Sequence, residues 1–238
     1  MAKDFLLEIG TEEIPAKFSP GAMTQLEEQA AKRFAELRLT YQEIKVFATP
    51  RRLTLMVEGL AERQEDLSTE VKGPAVKAAY DDKGEPTKAA QGFARGQGVP
   101  VESLFTQEIN GIPYVFARKS EIGLDTAALL PQVAAELIGA LHFPKPMRWG
   151  ELDFRFARPI RWLVALFGSD VVPFEFVGLA SGRVSRGHRT LAAYDVIIEK
   201  PGDYPEALRN AYVMIDPEER KTAILAQIKN LADQVGGE

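Results

Sequence analysis

Ile44-Lys45-Val46-Phe47-Ala48-Thr49-Pro50-Arg51-Arg52-Leu53-Thr54-Leu55-Met56-Val57 is the stretch on which the fold class turns. Ile44, Val46 and Ala48 are apolar at every second position, and Leu53, Leu55 and Val57 repeat the pattern after the Thr49-Pro50-Arg51 turn. A two-residue period on both sides of a turn is a β-hairpin. Upstream, Lys3 to Ile9 reads as a buried strand, and Gly10-Thr11-Glu12-Glu13-Ile14-Pro15 turns the chain out of it. Between strand and hairpin lies a helix. Ser19 is its expected N-cap and Pro20 its first residue, and Met23, Leu26, Ala30, Phe34 and Leu37 form one apolar stripe. Strand, helix and hairpin follow one another without regular βαβ alternation, so the class is α+β: mixed or antiparallel sheets with hairpins and packed helices.

Downstream, the charged run Glu62-Arg63-Gln64-Glu65-Asp66 and the turn-like Gly73-Pro74 and Asp81-Asp82-Lys83-Gly84 mark a loop-rich excursion to Gln97. Within it, Thr87 to Arg95 suits a short helix presenting Phe93. Asn110-Gly111 between Leu104–Ile109 and Ile112–Ala117 is a strong hairpin signal, and Pro113 marks the second strand as an edge. Leu129, Leu130, Val133, Leu137 and Leu141 mark a second amphipathic helix, whose early turns Pro131 should distort. Arg161 to Phe167 and Val171 to Val177 flank the turn Gly168-Ser169-Asp170. Asp216-Pro217-Glu218-Glu219 opens a last helix ending at Gly236-Gly237. Three units are expected: a strand-helix-hairpin unit over 1–60, a loop-rich excursion with a hairpin over 61–125, and a helix-and-sheet unit over 126–238.

Composition narrows the chemistry. The 238 residues are 45% hydrophobic and 26% charged, which suits a packed core. Cysteine is absent, so disulfides, a thiol nucleophile and Cys-ligated metals are excluded. Phe5-Leu6-Leu7 is interrupted at Glu8 and lacks the apolar length of a secretory signal, and the apolar run from Trp162 to Phe167 is far short of a membrane span. A cytoplasmic protein without membrane contact is expected. His142 and His188 are the only histidines and form no metal-ligand motif, so no metal site is assigned. The adjacent Glu12 and Glu13 point to opposite faces of an extended segment, which does not suit paired acid–base work. Gly182 to Arg189 copies the glycine spacing of a Walker A loop. It places His188 and Arg189 where Lys and Ser or Thr must stand, so it does not bind ATP by itself.

Charge is segregated. Between Lys145 and Arg189 eight basic residues face four acidic ones, a local +4 within a chain of net charge −5. Seven of the eight are arginines, and Trp149 and Trp162 lie among them. Arginine forks bind phosphate bidentately, and aromatic faces accept unstacked bases. Arg148, Trp149, Arg158, Arg161, Trp162, Arg183, Arg186, His188 and Arg189 are therefore candidate RNA-binding residues. The competing reading places the tryptophans in the core and pairs the arginines with the acidic remainder.

Phe5-Leu6-Leu7-Glu8-Ile9-Gly10-Thr11-Glu12-Glu13-Ile14-Pro15 resembles the N-terminus of the bacterial tetrameric glycyl-tRNA synthetase beta subunit family. Four further blocks resemble that family in the same order: Ala48-Thr49-Pro50-Arg51-Arg52-Leu53, Lys88 to Ala94, Met147-Arg148-Trp149-Gly150 with Arg158 to Trp162, and Arg186-Gly187-His188-Arg189. Family members are much longer and continue into a histidine-aspartate-type domain and an anticodon-binding domain, which implies a truncated N-terminal portion. The resemblance implies a heterotetramer that charges tRNA(Gly). Glycine, ATP and Mg²⁺ are then handled by the alpha subunit, with no catalytic or cofactor-binding residue in this portion. Arg158-Pro159-Ile160 also stands where the editing-type module of the phenylalanyl-tRNA synthetase beta subunit has such a segment. Three roles stay open: tRNA handling, hydrolysis of mischarged tRNA with His188 as base, and subunit assembly. The resemblance to an editing module does not by itself confer editing, since a site closed around glycine, the smallest amino acid, can exclude larger ones sterically.

Overall fold

The computed structural model describes residues 2–237. The chain begins with β1 (Ala2–Thr11), α1 (Ser19–Glu36), β2 (Glu43–Thr49) and β3 (Arg52–Ala61). There follow β4 (Leu67–Ala75), the single turn α2 (Val76–Ala79), α3 (Lys88–Gln97), β5 (Phe105–Ile109) and β6 (Ile112–Glu121). Next come α4 (Thr126–Gly139), β7 (Ile160–Phe167), β8 (Asp170–Val171), β9 (Glu175–Phe176) and β10 (Leu179–Gly182). The remainder is β11 (Val184–Arg186), β12 (Asp195–Ile197), α5 (Tyr204–Asn210) and α6 (Pro217–Val235). Two compact units result: Glu65–Gly123, and the chain on either side of it, up to Gln64 and from Leu124.

Among the described residues the larger unit is built on a seven-stranded sheet of order β2-β3-β1-β7-β10-β9, with β8 on β7. Its pairings are antiparallel except β7 with β10, so the sheet is mixed. Strands from 1–60 and from 126–238, read separately in the sequence, share this sheet. β1 reads as a continuous apolar run because both of its faces are covered. Phe5, Leu7 and Ile9 pack with Leu26 and Phe34 of α1 and Leu130 and Leu137 of α4. Leu6 faces the other way, with Trp162, Val164, Tyr204 and Leu208. Each large side chain so enclosed stabilises the fold by about 1.5–3 kcal/mol.

The stripe expected for α1 is the buried one, but the N-cap is displaced by one residue. A 3₁₀ turn over Ala16–Phe18 runs directly into the helix, so Phe18 is the cap. Ser19 is already helical (φ −60°, ψ −47°), and a cap side chain needs extended backbone. α4 continues through Pro131 because Leu130, Val133 and Leu137 on the flanking turns are held in the core. α6 carries the expected signals. Asp216 Oδ1 accepts from the Glu218 and Glu219 amides at 2.8 and 3.3 Å, and Gly236 closes the helix in the left-handed region (φ 67°).

The smaller unit is an antiparallel sheet of order β4-β6-β5 packed on α2 and α3. Asn110 (φ 51°) and Gly111 (φ 79°) make the tight hairpin turn. Two expectations are corrected. The segment read as loop-rich contains β4, and β6 is the central strand rather than an edge. Pro113 is tolerated because β4 pairs with β6 only as far as Tyr114, so Pro113 has a partner strand on one side. Phe93 packs on Gly73, where a Cβ would collide with its ring. No helix among the described residues is long and apolar enough to cross a membrane.

Candidate functional site

The site lies in the larger unit, where the end of β1, the β2–β3 turn and the segment around β11 meet. Glu8, on the same β1 face as Leu6, is fully buried. Its Oε1 lies 3.3 Å from Arg52 Nη1 and accepts from Trp162 Nε1 at 3.1 Å and Ser185 Oγ at 2.9 Å. Arg52 is 2% exposed, and its Nη2 donates to the Arg186 carbonyl at 2.7 Å. Close by, the Tyr204 hydroxyl and Thr54 Oγ1 share a hydrogen bond of 2.9 Å. Burial, and then the Glu8 carboxylate, push the Tyr204 phenol far above its ordinary range. This network is structural: removing one member of a buried ion pair costs about 3–5 kcal/mol.

Gly10 stands opposite Trp162 across the β1–β7 ladder, and a Cβ there would fall inside the indole. The missing side chain lets Trp162 lie flat over β1. Three guanidinium groups surround the ring, Arg51 and Arg52 at 5.6 Å and Arg186 at 5.3 Å from its centroid. Trp162 is only 7% exposed, so it braces arginines and offers no open face to a base.

Beyond this layer lies a cleft of about 460 Å³. Its lining combines the polar Arg51, Arg52, His188, Arg189, Arg220 and Glu13 with Pro50, Tyr212, Val213 and Met214. A second cleft of about 250 Å³ shares Arg51, Gly187 and Arg189 and adds Arg186 and Tyr194. Arg51 makes no ion pair among the described residues, and its buried Nε, like that of Arg52, has no hydrogen-bond partner. Burial, and then the neighbouring Arg189 cation, hold its guanidinium below the ordinary arginine range. Such a group is a ready receptor for an anion. His188 Nδ1 accepts from the Leu191 amide at 3.2 Å, which places the ring proton on Nε2 as a donor. Among the described residues no carboxylate holds this imidazole. Arg189 pairs with Glu13 at 2.9 Å, while Glu12 lies 3.4 Å from Arg161 and 4.0 Å from Arg189.

The cleft has fixed walls. Gly187 is packed against Ala192 and Ala211, with no room for a Cβ. Arg220 of α6 donates to the Met214, Ile215 and Ala48 carbonyls at 2.7–2.9 Å, tying the loop after α5 to the end of β2.

Of the residues singled out in the sequence, Trp162, Arg186, His188 and Arg189 come together here, and Arg161 joins them through Glu12. The others are engaged elsewhere. Arg148 pairs with Asp153 at 3.4 Å, Trp149 packs edge-on against Phe154, Arg158 donates to the Ala157 carbonyl, and Arg183 pairs with Glu199 at 2.8 Å. Gly182 to Arg186 is mostly strand, not a phosphate-cradling loop. The charge count overlooks Arg51, Arg52, Glu8 and Arg220. Two signals were available: a glutamate inside an apolar strand needs a buried partner, and the Arg51-Arg52 doublet stands at a hairpin turn.

Against known proteins, residues 5–238 match the family described as glycyl-tRNA synthetase beta subunit. The chain is 63% identical over 238 residues to the glycine–tRNA ligase beta subunit of Desulfitobacterium hafniense strain Y51, covering 100% of this chain and 34% of that protein. It is 54% identical over 237 residues to the corresponding protein of Desulforamulus reducens, again 100% of this chain and 34% of the relative. The Bacillus subtilis strain 168 protein is 48% identical over 230 residues, 97% of this chain and 34% of the relative. The chain thus spans about a third of the length of these relatives. The five blocks that carried the resemblance and these matches agree: this chain belongs to the glycyl-tRNA synthetase beta subunit family.

Proposed function

We propose that this chain is a tRNA-handling and assembly portion of the beta subunit of a glycine–tRNA ligase, acting in the cytoplasm with an alpha subunit to charge tRNA(Gly). The observation that carries the reading is the arginine cleft. In a chain of net charge −5, Arg51, Arg186 and Arg189 line one cleft, and Arg51 makes no ion pair among the described residues. Phosphates of an RNA backbone supply the missing counter-charge. Glycine, ATP and Mg²⁺ belong in this reading to the alpha subunit. The larger unit, with Arg158-Pro159-Ile160 leading into β7, is read as akin to the editing-type module of the phenylalanyl-tRNA synthetase beta subunit, retained for RNA contact and not for hydrolysis.

The test is a tRNA titration over a range of salt, with and without the alpha subunit. The expected result is salt-dependent tRNA binding by this chain alone, with the affinity falling log-linearly as salt rises. Alpha-subunit binding without tRNA binding would leave assembly as its role. Glycine-dependent pyrophosphate exchange by this chain alone would contradict the division of labour.

A further inference from the structure

We propose that the cleft beside Arg51 takes one unstacked nucleotide, its phosphate on Arg51 and Arg189 and its base against Pro50, Val213 and Tyr212, with Glu13 as the internal carboxylate that the phosphate displaces. The inference deepens the RNA reading and rests on it. The volume, about 460 Å³, lies within the roughly 300–1,000 Å³ of small-molecule sites, and the lining mixes two chemistries. Arg51 and Arg189 supply cations, with His188 Nε2–H as an additional donor. Pro50, Tyr212 and Val213 supply apolar surface for a base.

Tyr212 is the most telling part of the apolar lining. It is 63% exposed yet held in the left-handed region at φ 60°, where helices usually end on glycine. The turn is fixed by the Tyr212 amide on the Arg209 carbonyl at 3.0 Å and the Val213 amide on the Leu208 carbonyl at 2.8 Å. A bulky, exposed side chain held in this conformation on the lining of the cleft suits a stacking role. The acidic pair after β1 also finds its use. Glu13 lies 2.9 Å from Arg189 and lines the same cleft, so a carboxylate already stands where an anion would sit.

Calorimetric titration of this chain with AMP, inorganic phosphate and adenosine tests the assignment. AMP is expected to bind saturably and about tenfold or more tighter than either part alone, since phosphate and base contacts add. Arg51→Ala and Arg189→Ala should each weaken AMP binding about tenfold. Glu13→Gln should tighten it several-fold, while Glu27→Gln, on the exposed side of α1, leaves it unchanged. If Arg51→Ala fails to fold, the exposed Arg189 carries the same test. Equal binding of phosphate and AMP would overturn the nucleotide assignment, and equal tightening by both glutamate variants would overturn the role of Glu13. A chain that binds tRNA but not AMP contradicts this inference and leaves the RNA reading standing; one that binds AMP but not tRNA contradicts the RNA reading alone.

Discussion

Arg52 is enclosed, with Glu8, Ser185 and the Arg186 carbonyl within 3.3 Å and 2% of its surface exposed. Arg51, one residue earlier, keeps its charge beside Arg189 with no ion pair among the described residues, on the wall of a cleft. Arg52 is the first residue of β3 and is held by the buried network, whereas Arg51 stands in the β2–β3 turn. One arginine thereby becomes part of the fold, and the other is left for a ligand. Trp162 lies between them and touches both. The two members of a basic doublet thus have separate roles, one set by the strand it opens and the other by the turn that precedes it.

The buried side should show the largest effects on stability. Glu8→Ala leaves Arg52 buried without its counter-ion and should cost about 3–5 kcal/mol in urea denaturation, whereas Glu8→Leu combined with Arg52→Met should recover most of the loss. A loss under about 1 kcal/mol for the single change would show that the Glu8–Arg52 pair does not hold the fold. Gly10→Ala forces Trp162 off β1 and should cost about 1–3 kcal/mol, loosening the three arginines that surround the ring.

The Tyr204 phenol supplies a pH test with a fixed sign. In the native state it stays protonated well above the ordinary tyrosine value of about 10, while the unfolded chain ionises there. Stability should therefore fall as pH rises above about 10, by up to about 1.4 kcal/mol per unit from this residue alone. Tyr204→Phe should flatten that decline, at the expense of the Thr54 hydrogen bond, worth about 1 kcal/mol. A parallel alkaline slope in the variant would contradict the assignment. The smallest effect belongs to Arg183→Ala. Its pair with Glu199 lies at the surface, so stability should change by about 0–1 kcal/mol, with tRNA affinity changing less than for Arg51.

Local patterns were legible where a local signal decides the outcome. The β2–β3 and β5–β6 hairpins, the stripe of α1 and both ends of α6 stand where alternation, Asn110-Gly111 and the Asp216 cap place them. Long-range partners were not legible. α1 and α6 carry similar stripes, yet Leu26 and Phe34 are fully buried while Ile224, Leu225, Ile228 and Leu231 are 53–61% exposed. Periodicity gives the apolar face and not what covers it. β4 escaped notice because its charged and polar residues meet β6 through backbone pairing. The candidate site was half legible. Sequence clustering found Trp162, Arg186, His188 and Arg189. It also included Arg148 and Arg183, which have partners of their own, and passed over Arg51, which the β2–β3 turn brings in from a hundred residues away.

The most direct measurement is the salt dependence of tRNA binding by Arg51→Ala, with the melting temperature recorded on the same sample. If Arg51 meets a phosphate, the log–log salt slope should fall in magnitude by about one, the loss should be similar across tRNA sequences, and the melting temperature should stay close to that of the unaltered chain. An unchanged slope in a protein that remains folded and binds tRNA as before would contradict the assignment of the cleft to RNA.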